Sequence, residues 1–143
     1  MVQPPSRKTI GIIDGQGGGI GSTIIKKIKA HFGEFVEVIA LGTNAIATAQ
    51  MLKAGANRGA SGENAIVRTV ARVDVVIGTL GIMLAHAMMG EVTPRMAEAV
   101  SGCVAIKLIL PISQENVDLI GVSDEPLPHM VDTLVIDHLK PLL

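Results

Sequence analysis

Apolar residues fall into two alternating rhythms along this chain. Runs rich in β-branched residues at 8–14, 37–41, 74–78 and 104–110 read as strands, and between them apolar positions recur every three to four residues, as on one face of a helix. The plainest helical pattern is Ile20, Ile24, Ile25, Ile28 and Phe32, with Lys26, Lys27 and Lys29 on the opposite face. Asn44 as N-cap and Gly55 as stop bracket a helix over 45–54. A short third strand is predicted over 56–60, after which Ser61 is read as the cap of a helix reaching Arg72. An apolar helix is expected over 82–89, and Thr93, Pro94 and Gly102 delimit another. The run 104–110 is nearly continuous in apolar residues, as a strand buried on both faces would be. A further strand is expected over 117–122, paired with it across 113–116, and a last helix over 127–139, ended by Pro141.

Strands separated by helices of this length predict an α/β fold, a Rossmann-like three-layer sandwich with a mostly parallel sheet. With no repeat and no break in composition, the 143 residues are read as one domain, residues 1–7 being expected to be flexible. Folds of this kind bind ligands beyond the carboxyl ends of their strands. That rule collects residues 14–20, 42–44, 58–64 and 78–81 on one rim.

The rim contains the most distinctive string of the chain, DGQGGGIG at 14–21, set between a strand and an amphipathic helix. Clustered glycines at such a junction let a backbone approach phosphate closely, and the unpaired amides and positive dipole end of the helix attract an anion. The candidate ligand-binding residues are therefore Asp14, Gly15, Gln16, Gly17, Gly18, Gly19 and Ile20 in the loop, with Gly42, Thr43 and Asn44 at the second strand end. Arg58, whose fork suits two phosphate oxygens, and Gly78 and Thr79 at another glycine-bearing strand end complete the set. The expected ligand is a nucleotide or other phosphate compound, with NAD or NADP preferred. Asp14 reads either as an acceptor for loop amides or, in an alternative phosphate-ester enzyme, as a holder of Mg²⁺ with Glu63 as base. A third reading is a non-catalytic oligomeric module whose glycine turn is structural.

Composition and charge add several constraints. Hydrophobic residues make up 48% of the chain and charged residues 17%, so apolar surface is expected to be covered by further copies in a homo-oligomer, through 82–89 and its methionines Met83, Met88 and Met89. A net charge of −1 leaves no basic footprint for nucleic acid. No apolar run approaches a membrane span, and the N-terminus lacks the apolar core of a signal peptide. The single Cys103 allows no internal disulfide, which adds to the expectation of a cytoplasmic protein. His31, His86, His129 and His138 lack ligand spacing, so no metal site is legible, and His86 is read as a packing or interface residue.

The string Gly15-Gln16-Gly17-Gly18-Gly19-Ile20-Gly21 resembles the Gly-x-x-x-Gly-Ile-Gly loop of short-chain dehydrogenases/reductases, and Asp74-Val75-Val76-Ile77-Gly78 resembles their fourth strand. The resemblance covers the dinucleotide half alone. Without any tyrosine the chain has no Tyr-x-x-x-Lys pair, and the second strand ends without the acidic residue that takes the adenosine ribose of NAD. The strings IDGQGGGIG, IALGTNAIAT, MLKAGANRGASGENAIV, GEVTPRMAEA and ILPI, spread over most of the chain, are similar to a family of short bacterial proteins known as a domain of unknown function. That resemblance implies a compact cytoplasmic protein and adds no catalytic residue.

Overall fold

The structure, a computed structural model, describes residues 7–112 and 116–143. Residues 1–6 of the expected flexible segment and 113–115 of the expected connection lie outside the described residues. The elements run β1 (Lys8–Asp14), α1 (Gly19–Phe32), β2 (Val36–Gly42), α2 (Ala45–Lys53), β3 (Arg58–Ser61), α3 (Glu63–Val70), β4 (Val75–Thr79), α4 (Pro94–Gly102), β5 (Ile106–Leu110) and α5 (Leu127–Asp132). The five strands form one parallel sheet in the order β3-β2-β1-β4-β5. This is the predicted Rossmann-like α/β sandwich.

Period-two alternation sorts the strand residues onto two cores. Ile10 and Ile12 of β1, Val36, Val38 and Ala40 of β2, and Val75 and Ile77 of β4 face α1, α2 and the C-terminal helix, meeting Ile24, Ile25, Ile28, Met51, Leu134, Val135 and Leu139. Ile13, Ile39, Leu41 and Val76 face the opposite layer, with Ile66 and Val70 of α3 and Met96 and Val100 of α4. Each fully buried side chain of this size contributes about 1.5–3 kcal/mol. Two of the predicted caps are formed: Asn44 Oδ1 accepts from Ala47 N at 2.8 Å, and Thr93 Oγ1 accepts from Met96 N at 3.1 Å.

Other expectations are corrected. Ser61 closes β3 and bonds Thr48 through its hydroxyl, so α3 starts from Gly62 without a side-chain cap. Residues 82–89 do not form a helix. A 3₁₀ turn, Leu80–Met83, gives way to a strap in which His86, Met88 and Met89 have φ of 71°, 58° and 57°, left-handed values that end a right-handed helix. The strap is instead closed on itself by His86 N donating to Val92 O and Val92 N to Ala87 O. The 104–110 run is not buried on both faces: β5 is the sheet edge, with Ile106 50% exposed and Val104, ahead of the strand, 95% exposed. No strand forms over 117–122, where Val117 makes a single bridge and the chain turns at Gly121, φ 85°. The last helix is continuous from α5 through a π-helical stretch, Thr133–Leu139, into the 3₁₀ turn Lys140–Leu142 that holds Pro141. Among the described residues no helix is long and apolar enough to cross a membrane.

Candidate functional site

In the order β3-β2-β1-β4-β5 the chain winds outward from β1 to β3 and then crosses to β4, which makes the carboxyl ends of β1 and β4 the switch point where open parallel sheets leave a crevice. A cavity of about 890 Å³ lies there. Asp14 and Thr79 form its floor, Gln16 and Ile20 its glycine-loop side, and strap residues such as Leu84, His86 and Met88 its other wall.

Asp14 ends β1 with its side chain turned back into the protein. One carboxylate oxygen accepts from Gly15 N at 2.8 Å and the other from Gly21 N at 2.7 Å, so a buried carboxylate ties the strand end to the first turn of α1. Burial pushes its pKa above the ordinary value, against the two amide bonds from Gly21 and Gly15, and the charge of Glu91 adds to the rise. Gly18 precedes the helix at φ 72° and donates its N–H to Gly15 O. With Gly21 N held by Asp14 and Ser22 N by Gly18 O, the amides of Gly19 and Ile20 are left free at the helix start.

The loop glycines divide into two kinds. A methyl group on Gly15 would sit 2.6 Å from both Met88 Sδ and Thr43 Oγ1, on Gly18 2.8 Å from Ala47 O, and on Gly21 2.5 Å from Met51 Sδ. Packing explains those three. At Gly17 and Gly19 a methyl group would meet nothing within 4 Å, and neither has a positive φ.

On the β2 side, Gly42 is buried under α2, its amide donating to Thr48 Oγ1 at 3.1 Å. Thr43 and Asn44 do come to the glycine loop. Asn44, besides capping α2, donates from Nδ2 to Gln16 O at 3.1 Å. Both also meet a residue that the sequence reading passed over: Glu91 Oε1 accepts from Thr43 Oγ1 at 2.6 Å, Asn44 Nδ2 at 2.7 Å and Gln16 N at 2.9 Å. Burial of this carboxyl would raise its pKa, but the bonds from Thr43, Gln16 and Asn44 together outweigh burial and leave it below the ordinary value. The available signal was its isolation, as the sole acidic residue in the apolar stretch 82–92.

Two candidates lie elsewhere. Arg58 opens β3 beside Ile39, three positions before the strand's carboxyl end, and pairs with Glu37 at 2.6 Å, so it is not on the rim. Glu63, the base of the alternative reading, accepts from Thr93 Oγ1 at 2.6 Å and lies 3.9 Å from Arg95. Gly78 is a packing position in which a methyl group would sit 2.6 Å from Ile82 Cδ1 and 3.0 Å from Ile13 O. Among the described residues no three His, Cys, Asp or Glu side chains come together.

The parallel sheet and its switch-point crevice define a Rossmann-like α/β protein. Residues 9–142 match the family described as domain of unknown function (DUF3842), and the chain belongs to that family. No curated protein and no solved structure matches it.

Proposed function

We propose that this protein binds a nucleotide in the crevice between β1 and β4, with a phosphate on the amides of Gly17, Gly19 and Ile20. The observation that carries this reading is the pair Gly17 and Gly19. Neither conformation nor packing requires glycine at either position, whereas an anion drawn to the amides at a helix start needs the space a Cβ would take. The positive end of the α1 dipole favours the same charge. Aliphatic groups from Ile20, Leu84 and Ile112 offer the base an apolar wall.

The phosphate-ester alternative has less support. Asp14 gives both oxygens to backbone amides rather than to the crevice, and Glu63 is held by Thr93.

The test is thermal denaturation with and without ADP for the wild type, Gly17→Val and Gly19→Val. A ligand at about 100 times its Kd raises stability by about 2.7 kcal/mol, so a clear upward shift is expected for the wild type. Both variants should melt like the wild type without ligand and lose the shift with it. An equal ADP shift in all three proteins would overturn the proposal.

A further inference from the structure

The strap over residues 84–91 fills one half of the rim. In dinucleotide-binding sheets the adenosine ribose lies at the end of the second strand, where an acidic residue of that strand takes its hydroxyl groups. Here β2 ends in Gly42, Thr43 and Asn44, and the donors at that end are already engaged. Thr43 Oγ1, Asn44 Nδ2 and Gln16 N all converge on the single oxygen Oε1 of Glu91. Met88 Sδ presses beside them, against the position of a Gly15 methyl group. The open volume lies on the other side of the loop, over β1 and β4.

Glu91 is held there firmly. Hydrogen bonds to an ionised group are stronger than those between neutral groups, and Glu91 accepts three. The strap that carries it includes three non-glycine residues in the left-handed region, His86, Met88 and Met89, a conformation that side-chain-bearing residues rarely adopt. A chain so strained retains its shape only where the surrounding contacts over-determine it, and the Glu91 carboxylate is the strap's polar attachment to β2 and the glycine loop.

We infer that Glu91 determines the size of the ligand: it closes the β2 half of the rim and restricts the site to a mononucleotide, excluding dinucleotides such as NAD and NADP. The inference rests on the nucleotide reading above. Its physical content is twofold. The carboxylate and Met88 occupy the volume of a second ribose, and the negative charge repels a second phosphate or the 2′-phosphate of NADP that comes beside it.

Calorimetric titration of ADP and NAD into the wild type, Glu91→Ala and Glu91→Gln tests it. The wild type should bind ADP at least roughly tenfold more tightly than NAD, and Glu91→Ala should narrow that ratio by about tenfold or more. Glu91→Gln keeps the volume and an acceptor while removing the charge, so it holds the fold if the alanine variant does not, and it should narrow the ratio by a smaller factor. Wild-type affinity for NAD equal to or above that for ADP overturns the inference, as does an unchanged ratio in a folded variant that binds ADP. Failure of every protein to bind either compound overturns the nucleotide reading itself, and the inference with it.

Discussion

The carboxylate of Asp14 and the amide of Gly21, 2.7 Å apart, join the end of the first strand to the first turn of the first helix across the intervening glycine loop. The bond is buried, and its geometry depends on Gly21 having no side chain, because a methyl group there would press on Asp14 Cβ at 3.0 Å. Asp14→Ala leaves two amides, those of Gly15 and Gly21, without acceptors, at about 1–3 kcal/mol for each buried group left unpaired. Urea denaturation should show a loss of about 2–6 kcal/mol for the two together, with Asp14→Asn losing less. A midpoint unchanged in Asp14→Ala would contradict the tie.

Neighbouring glycines should respond oppositely to the same substitution. Gly18→Ala puts a methyl group 2.8 Å from the carbonyl of Ala47 at a φ of 72°, so a loss of about 1–3 kcal/mol is expected. Gly17→Ala meets nothing and should leave thermal stability within about 0.5 kcal/mol of the wild type. Equal losses in the two would remove the distinction on which the site rests.

Asp14 and Glu91 should give opposite slopes of stability with pH. For Asp14 the folded-state pKa is raised, so its contribution is present below its ordinary value of 3.8 and is lost as pH rises through the folded value. For Glu91 it is lowered, so the contribution is present above 4.5 and is lost as pH falls through the folded value. Urea midpoints compared with Asp14→Asn and Glu91→Gln should therefore show wild type losing ground to Asp14→Asn as pH rises from below 3.8, and to Glu91→Gln as pH falls below 4.5. Parallel trends in the two comparisons would refute the assignment.

Among the exposed apolar side chains of the described residues, Val104 and Ile106 lie just ahead of and at the start of the edge strand β5, and Ile120 and Val122 follow it in the chain. Self-association is expected there rather than through a helix at 82–89. Light scattering at micromolar concentration should report an oligomer, reduced to a monomer by Val104→Lys combined with Ile106→Lys. A monomeric wild type would refute this.

A bound nucleotide would be visible directly. The chain has no Trp and no Tyr, and its aromatic rings other than histidine are Phe32 and Phe35, so the polypeptide itself absorbs almost nothing near 280 nm. Protein purified gently should show a band near 260 nm that acid extraction removes, and mass spectrometry of the extract should identify a mononucleotide. A dinucleotide in that extract would count against the role given to Glu91.

What the sequence made legible was local. Strand-to-helix alternation, the face of α1 carrying Ile24, Ile25 and Ile28, and the caps Asn44 and Thr93 all depend on residues within a few positions of one another. The failures came where tertiary contacts decide. Residues 82–89 are apolar enough for a helix but have no N-cap, and their bonds run to Val92 and, through Glu91, to the loop at Gln16. The 104–110 run reads as central because apolar content does not distinguish an interior strand from an edge that leaves Val104 and Ile106 uncovered. Arg58 lies inside the third strand whether that strand runs over 56–60 or 58–61, and its place beside Ile39 rather than Gly42 sets it three positions back from the rim. Glu91 gave no motif because its partners are donors from two other segments of the chain.

Gln16 and Glu91 are 75 residues apart, in opposite halves of the winding. During synthesis the glycine loop therefore emerges long before the carboxylate that holds it. Closing so long a separation is among the slower steps of folding. The binding rim is therefore a joint product of the two halves of the chain, and neither half carries by itself both the loop and the group that limits what enters it.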